Sequence, residues 1–395
     1  MNNLMDNSLV PIMPIEMIAR QPDAAGTGQD VMPLLILGGS PHHLGGVEAF
    51  CGRSKEALER RGNWRVIHLP TSTAFLTFRR LPVFFQGIFS LLRYRRQRPD
   101  CIWLQYVCLP DLVYLLVAKL LGLRVMVTAH LGSNWRSQSN RVLRALSGWM
   151  LSFADRLALI SKTQELEINL PGKLPRSYIR NFLPAGILSA ELPDPGVSPP
   201  EMQLIHSGRL SEGKGTFLFV EVCSKLRAAG VPFLARITGG ADEQTLSRLK
   251  RMIADYGLED QILVLGRVSD AELINLLQAS DVLVHLSRID SYPLIVLEST
   301  ACCVFPVCME LAGARDMIET YDGHVVSERA AVEDTASFLS RHNLDDIRRR
   351  SRAAALRVRS DYGWDTCVRA VEAALSATSP FQAAAPGSHL PRPLA

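Results

Sequence analysis

Apolar residues along the chain fall into two alternating patterns. Short unbroken runs closed by glycine or a polar residue read as buried strands. Stretches with an apolar residue every three or four positions read as helices. The first run, Leu34-Leu35-Ile36-Leu37-Gly38-Gly39, predicts a strand. A loop over Ser40–Gly46 follows, then helical spacing from Val47 to about Arg61. Further strands are predicted at Val66–Leu69, Cys101–Gln105, Val125–Thr128 and Arg156–Ile160. Helices are predicted between them at Phe84–Arg96, Leu112–Leu121 and Arg141–Ala154. Strands alternating with helices make a parallel sheet covered on both faces.

The pattern breaks at Leu183–Pro200, where five prolines and two glycines read as an interdomain link. It then restarts. Strands are predicted at Gln203–His206, Phe233–Thr238, Ile262–Leu265, Val282–Leu286 and Val304–Val307. Helices are predicted at Gly215–Ala229, Asp242–Tyr256, Asp270–Ala279, from Leu294 to Ala301, at Ala330–Arg341 and at Trp364–Leu375. The expected fold class is α/β, with two doubly wound Rossmann-like domains facing a central cleft. The expected division is 1–31, a disordered extension; 32–183, the first domain; 184–200, the link; and 201–362, the second domain. A helix over 363–376 is expected to pack back on the first domain, and 377–395 to form a loose tail. In such sheets ligands bind at the carboxyl ends of the strands.

Composition narrows the function. Apolar residues make up 47% and charged residues 21%, which excludes a disordered or fibrous chain. The net charge, 43 − 39 = +4, is too mild to imply nucleic acid. The charge is uneven: Leu76–Arg156 holds twelve Arg/Lys and three acids, 12 − 3 = +9. A basic zone on an apolar background suits an anionic membrane surface, a phosphate-bearing substrate or simply a solvated face. The eight cysteines form no C-x-x-C pair and read as buried free thiols of a reducing compartment. The N-terminus lacks a secretory pattern, and the apolar run Leu81–Leu92 falls short of the ~20 residues that span a bilayer. The expected location is cytoplasmic, or peripheral at the inner face of a membrane.

Three stretches carry chemistry. Gly45-Gly46 opens the first helix, and glycine there lets an anion approach bare N–H groups; a tight turn would use the same residues. The second domain begins Ser207-Gly208-Arg209-Leu210-Ser211-Glu212-Gly213-Lys214-Gly215, an Arg and a Lys beside a helix start, which suits a diphosphate. After the strand Val282–Leu286, Asp290 stands in a loop and Glu298 eight residues on. The first can face the cleft, and the second can accept two hydroxyls of a ribose.

With these residues in place, the sequence resembles a retaining glycosyltransferase of the GT-B fold, family 4 of the sequence classification. The resemblance covers about residues 33–376. It rests on Gly45-Gly46-Val47-Glu48, on His130 with the run Ala154–Ser161, on Gly208-Arg209-Leu210 to Lys214-Gly215, on Leu265–Ser269, on Asp290 to Glu298 and on Tyr362-Gly363-Trp364. It implies that Glu298 holds the ribose, that Arg209 and Lys214 hold the diphosphate, and that the backbone near Arg267 meets the base. Asp290 and the N–H groups of Ser291, Tyr292 and Leu294 would line the sugar. Gly45 and Gly46 would lie under phosphates or acceptor, and His130 would bond a sugar hydroxyl.

The implied activity is transfer of a sugar from a nucleotide-diphosphate sugar to an acceptor hydroxyl with retention. The implied setting is assembly of bacterial polysaccharide, exopolysaccharide or lipopolysaccharide on a lipid-linked or glycan acceptor. No Asp-x-Asp motif is present, and no metal or cofactor is expected beyond the nucleotide sugar as co-substrate. The sequence departs from the family where Asp290 replaces a Glu, where Ser291-Tyr292-Pro293 replaces Gly-aromatic-Gly, and where Cys303 stands at a common glycine. A sugar-nucleotide epimerase on the same fold, or an inactive nucleotide-sugar-binding subunit, are the alternatives.

Overall fold

The computed structural model describes residues 31–378, apart from 41–44, 74, 75, 77, 79, 80, 96–100, 133, 134 and 194–198. The extension 1–30, most of the loop before Gly45, and the tail from 379 lie outside the described residues.

Two six-stranded sheets, all parallel, follow one another. The first has the order β2-β1-β3-β4-β5-β6, built from β1 Met32–Leu37, β2 Trp64–Leu69, β3 Cys101–Tyr106, β4 Val125–Ala129, β5 Arg156–Leu159 and β6 Arg176–Tyr178. The second has the order β12-β11-β10-β7-β8-β9, from β7 Met202–Ser207, β8 Phe233–Thr238, β9 Ile262–Gly266, β10 Val282–His285, β11 Phe305–Met309 and β12 His324–Val326. The central strands β3, β4, β7, β10 and β11 are buried along their whole length. Sheets covered on both faces require that.

Right-handed crossovers place helices by the direction in which the chain moves along the sheet. Gly46–Arg61 covers one face of the first sheet; Leu81–Tyr94, Asp111–Leu120 and Arg141–Leu151 cover the other. Leu81–Tyr94 starts three residues before the predicted Phe84, because Pro82 is tolerated in a first helical turn.

The expected link is partly structured. Ala185–Ser189 is a short helix with Ile187 buried. One apolar cluster runs from Ile36 and Phe50 through Phe182, Leu183 and Ile187 to Leu297, Ala301 and Val368, so the two halves share a core. The helix Trp364–Ser376 packs on Gly46–Arg61, where the Trp364 indole donates to the Leu183 carbonyl at 2.7 Å and the Arg60 guanidinium lies 4.6 Å over the Trp364 ring. Of the helices of ten residues or more, two lie outside the sequence prediction, Ala312–Tyr321 and Leu344–Asp361.

All eight cysteines are free, and six are buried. Cys303 has φ 67°, in the left-handed region that favours glycine. Among the described residues, no helix is long and apolar enough to cross a membrane.

Candidate active site

The second domain assembles its polar residues at the carboxyl ends of β7 and β10. Gly215 caps the helix Thr216–Ala228 at φ 78°, and a Cβ there would stand 2.2 Å from the Leu286 carbonyl oxygen, so only glycine fits. Buried His206 ties this corner together. Its Nδ1–H donates to the Val284 carbonyl at 3.2 Å, and its Nε2 accepts from the Thr216 hydroxyl at 3.1 Å. The same hydroxyl oxygen accepts the Ser211 N–H. Burial pushes the His206 imidazole down to about 4, so it is neutral.

Asp290 stands above this corner. Lys214 donates to its Oδ1, and Nε2–H of His285, the last residue of β10, donates to its Oδ2 at 2.9 Å. Burial works to raise the Asp290 carboxyl. The hydrogen bond from His285 and the Lys214 charge outweigh it and hold the group well below the usual carboxylate range. Lys214 and Asp290, expected on the diphosphate and the sugar, are thus each other's partners. The shorter aspartate meets both donors at once.

The loop after Asp290 is packed tightly. Its Ser291 carbonyl presses on Gly313, where a Cβ would come within 1.8 Å, and the Tyr292 hydroxyl pairs with that of Tyr362 at 2.7 Å. Leu294 is the first residue of the helix Leu294–Ala301. Among the described residues, the N–H groups of Ser291, Tyr292 and Leu294 have no acceptor. They are free to meet oxygen at a helix N-terminus.

Glu298, in the second turn of that helix, is largely but not fully covered. Its Oε1 accepts from Arg53 Nη1 at 3.2 Å, and Nη1 also donates to the Phe182 carbonyl at 2.9 Å. Burial raises the Glu298 carboxyl, with the Arg53 charge opposing the shift. Arg53, Glu298 and Asp270 line one small cavity with Pro184 and Ile187 of the link helix. Arg209 and Arg267 are exposed. The Arg267 guanidinium lies over Gly240, where a Cβ would meet its Nε at 2.5 Å.

From the first domain, Gly45 caps the helix Gly46–Arg61 in an extended conformation. The Ser40 N–H donates to Glu48 Oε1 at 3.0 Å, bracing the start of the glycine loop. Gly46 faces the second domain, and a Cβ on it would lie 3.7 Å from Leu294 Cδ1. His130 follows β4. Its N–H donates to the Tyr106 carbonyl at 2.8 Å, and its ring packs edge-on against Phe50. Its Nε2 pairs with Gln105 Oε1 of the neighbouring β3 at 2.8 Å, not with its own loop. Burial pushes this imidazole down to about 4.

The structure therefore brings Lys214 to Asp290, and Gly46 to Leu294. It leaves Arg209 and Arg267 at the surface. Arg53, His285 and Gln105 escaped the sequence analysis. His285 and Gln105 lie in the predicted strands Val282–Leu286 and Cys101–Gln105, and a polar residue at the carboxyl end of a buried strand is the signal that marks them.

The chain matches solved structures over most of its length. A glycosyltransferase from Rickettsia africae ESF-5 superposes with a TM-score of 0.68 at 17% identity, covering 88% of this chain and 98% of that one. Anabaena Alr3699/HepE in complex with UDP and glucose gives 0.65 at 15%, covering 87% and 99%. The architecture is the GT-B fold. Residues 192–355 of this GT-B chain match the family model Glycosyl transferases group 1, which takes in Lys214, Asp290 and Glu298. Glycogen synthase of Mycobacterium tuberculosis (strain CDC 1551 / Oshkosh) is 26% identical over 249 residues, 60% of this chain and 58% of that protein. The chain thus spans little more than half the length of this curated relative.

Proposed function

We propose that the protein is a glycosyltransferase. It moves a sugar from a nucleotide-diphosphate sugar to an acceptor hydroxyl with retention at the anomeric carbon and without a bound metal. The observation that carries this reading is the cluster of Asp290, Lys214 and the free N–H groups of Ser291, Tyr292 and Leu294, with Glu298 one turn further and Gly46 of the first domain facing the Leu294 side chain.

The chemistry follows from these groups. Arg209, Lys214 and the helix N-terminus offset the charge that grows on the leaving diphosphate. Glu298 takes the ribose. Asp290, held ionised, accepts from sugar hydroxyls, and His130 meets the sugar from the other domain. Two carboxylates flanking one anomeric carbon would suit a double displacement. Here Asp290 is already engaged by Lys214 and His285, which favours a front-face reaction with the donor phosphate assisting the acceptor. The UDP and glucose named for HepE support a nucleotide sugar as donor.

The acceptor we infer is lipid-linked, in polysaccharide or lipopolysaccharide assembly. Helices Leu81–Tyr94 and Arg141–Leu151 contain no acid, and Asp111–Leu120 packs between them. They expose Phe85 (61%), Phe89 (73%), Val142 (74%) and Trp149 (57%) beside Arg93, Arg141 and Arg144. Apolar rings among arginines suit the interface of an anionic bilayer. A panel of nucleotide sugars offered with a membrane lipid extract tests the reading. It predicts acceptor-dependent release of nucleoside diphosphate and an α-linked product from an α-linked donor. Conversion of donor without acceptor would instead make the protein an epimerase. Binding without turnover would make it an inactive subunit.

A further inference from the structure

Gln105 is the last residue but one of β3, fully buried, between β1 and β4 at their carboxyl ends. The fold makes room for it. Gly38 has φ 146°, and a Cβ there would stand 2.5 Å from the Gln105 Cβ. Among the described residues the side chain makes one hydrogen bond, between Oε1 and His130 Nε2 at 2.8 Å, and its buried amide nitrogen has no partner. An unpaired buried donor destabilises a fold, and a leucine or methionine of similar volume would not carry that cost. An apolar residue at 105 would remove that unpaired donor and, with it, the partner of the His130 ring nitrogen, two effects of opposite sign on stability.

Its one bond has a chemical consequence. A carbonyl oxygen only accepts, so the proton of His130 sits on Nε2. The other nitrogen, Nδ1, then carries a bare lone pair and has no protein partner among the described residues. Burial keeps the ring neutral, with no charged side chain contributing. We infer that Gln105 is a positioning residue that fixes His130 in the Nε2–H tautomer, so that the imidazole meets the substrate as a hydrogen-bond acceptor. The group it meets must donate, which selects a sugar or acceptor hydroxyl over an ether, carbonyl or phosphate oxygen. The tautomer rests on geometry alone. Its use in turnover rests on the glycosyltransferase reading.

The test has two arms. Protein labelled with 15N-histidine is examined by long-range 1H–15N correlation, with His130→Ala identifying the resonance. The inference predicts one neutral tautomer, protonated at Nε2 and bare at Nδ1. In Gln105→Leu that signature should give way to a tautomer mixture, while the melting temperature changes little, because the unpaired amide is lost together with the bond to His130. With an active donor and acceptor, kcat of Gln105→Leu should fall roughly tenfold or more at unchanged nucleotide affinity. A wild-type ring protonated at Nδ1 would overturn the inference. So would a His130 spectrum untouched by Gln105→Leu, or a changed tautomer with full kcat. Should no donor be turned over, the first arm still decides the tautomer, and the failure belongs to the proposed activity.

Discussion

Arg53 of the first domain donates to Glu298 of the second, Nη1 to Oε1 at 3.2 Å, while the same nitrogen holds the Phe182 carbonyl where the first domain meets the link. The carboxylate assigned to the ribose is thus clamped from across the cleft through one oxygen. The second oxygen remains for a hydroxyl. Burial alone would push Glu298 toward its neutral form; the guanidinium opposes that.

This pairing predicts two affinities. Glu298→Gln should weaken binding of free nucleoside diphosphate by about 1.5–3 kcal/mol, the range for a hydrogen bond to a charged group. Arg53→Ala leaves Glu298 with its burial unopposed and its pKa higher still. Its nucleotide affinity should fall as the solution is made mildly acidic and recover at alkaline pH. Calorimetric titration of both variants at the two pH values checks this. An Arg53→Ala affinity that does not vary with pH would separate the pair from nucleotide binding.

Lys214 and Arg209 should behave differently toward stability. Lys214→Ala leaves Asp290, among the described residues, with His285 as its hydrogen-bonded partner, so it should cost both turnover and about 1–2 kcal/mol of stability. Exposed Arg209 should cost less than about 0.5 kcal/mol when changed to alanine, yet lower turnover on the order of tenfold or more. Urea denaturation beside initial rates checks both. An Arg209→Ala enzyme of full activity would remove that residue from the diphosphate.

Cys303 should yield to glycine, because its backbone lies in the left-handed region. Its φ of 67° costs an L-residue about 1–2 kcal/mol, part of which glycine returns through its greater freedom when unfolded. Cys303→Gly should raise the unfolding free energy by about 0.5–1 kcal/mol and leave nucleotide affinity alone. A lower melting temperature would mean that the thiol's packing outweighs the backbone.

Acid should destabilise the fold through His206. Its pKa is about 4 when folded and about 6.5 in an unfolded chain. Between those values the unfolded state takes up a proton that the folded state does not. The contribution is complete above about pH 6.5 and is lost as pH falls toward 4, to the extent of about 3 kcal/mol. Denaturation curves across that window should be flatter for His206→Gln, already destabilised at neutral pH, than for wild type. Equal slopes would contradict the buried neutral imidazole.

The sequence made the sheets legible because their strands are buried on both faces and read as unbroken apolar runs. Where that condition fails, the reading fails. β6, Arg176–Tyr178, and β12, His324–Val326, are short edge strands with half-exposed side chains and no run to find. Leu344–Asp361 buries only Ile347, Ser351, Ala354, Ala355 and Val358, so its arginines and aspartates mask the helical period. The candidate site was legible where its residues stand in one local stretch, as from Asp290 to Glu298. Partners drawn from afar were not. Arg53 lies 245 positions from Glu298, and Gln105 lies 25 from His130 across a strand pair, so only the fold joins them.

The membrane reading predicts that the protein floats with vesicles containing anionic lipid more than with neutral ones. Phe85→Ser with Phe89→Ser and Trp149→Ser should abolish the difference at unchanged melting temperature, because these rings are exposed. Equal flotation of wild type on both vesicles would contradict it.

The central claim is that a nucleotide sugar bound on the second domain is attacked only with His130 of the first domain in place. Single-turnover transfer of labelled sugar by wild type and His130→Ala, beside nucleoside diphosphate affinity for both, tests it most directly. The account predicts that His130→Ala slows transfer by about 10²–10⁴ and leaves the affinity within about twofold. A variant that transfers at the wild-type rate, or one that loses affinity as steeply as rate, would contradict it.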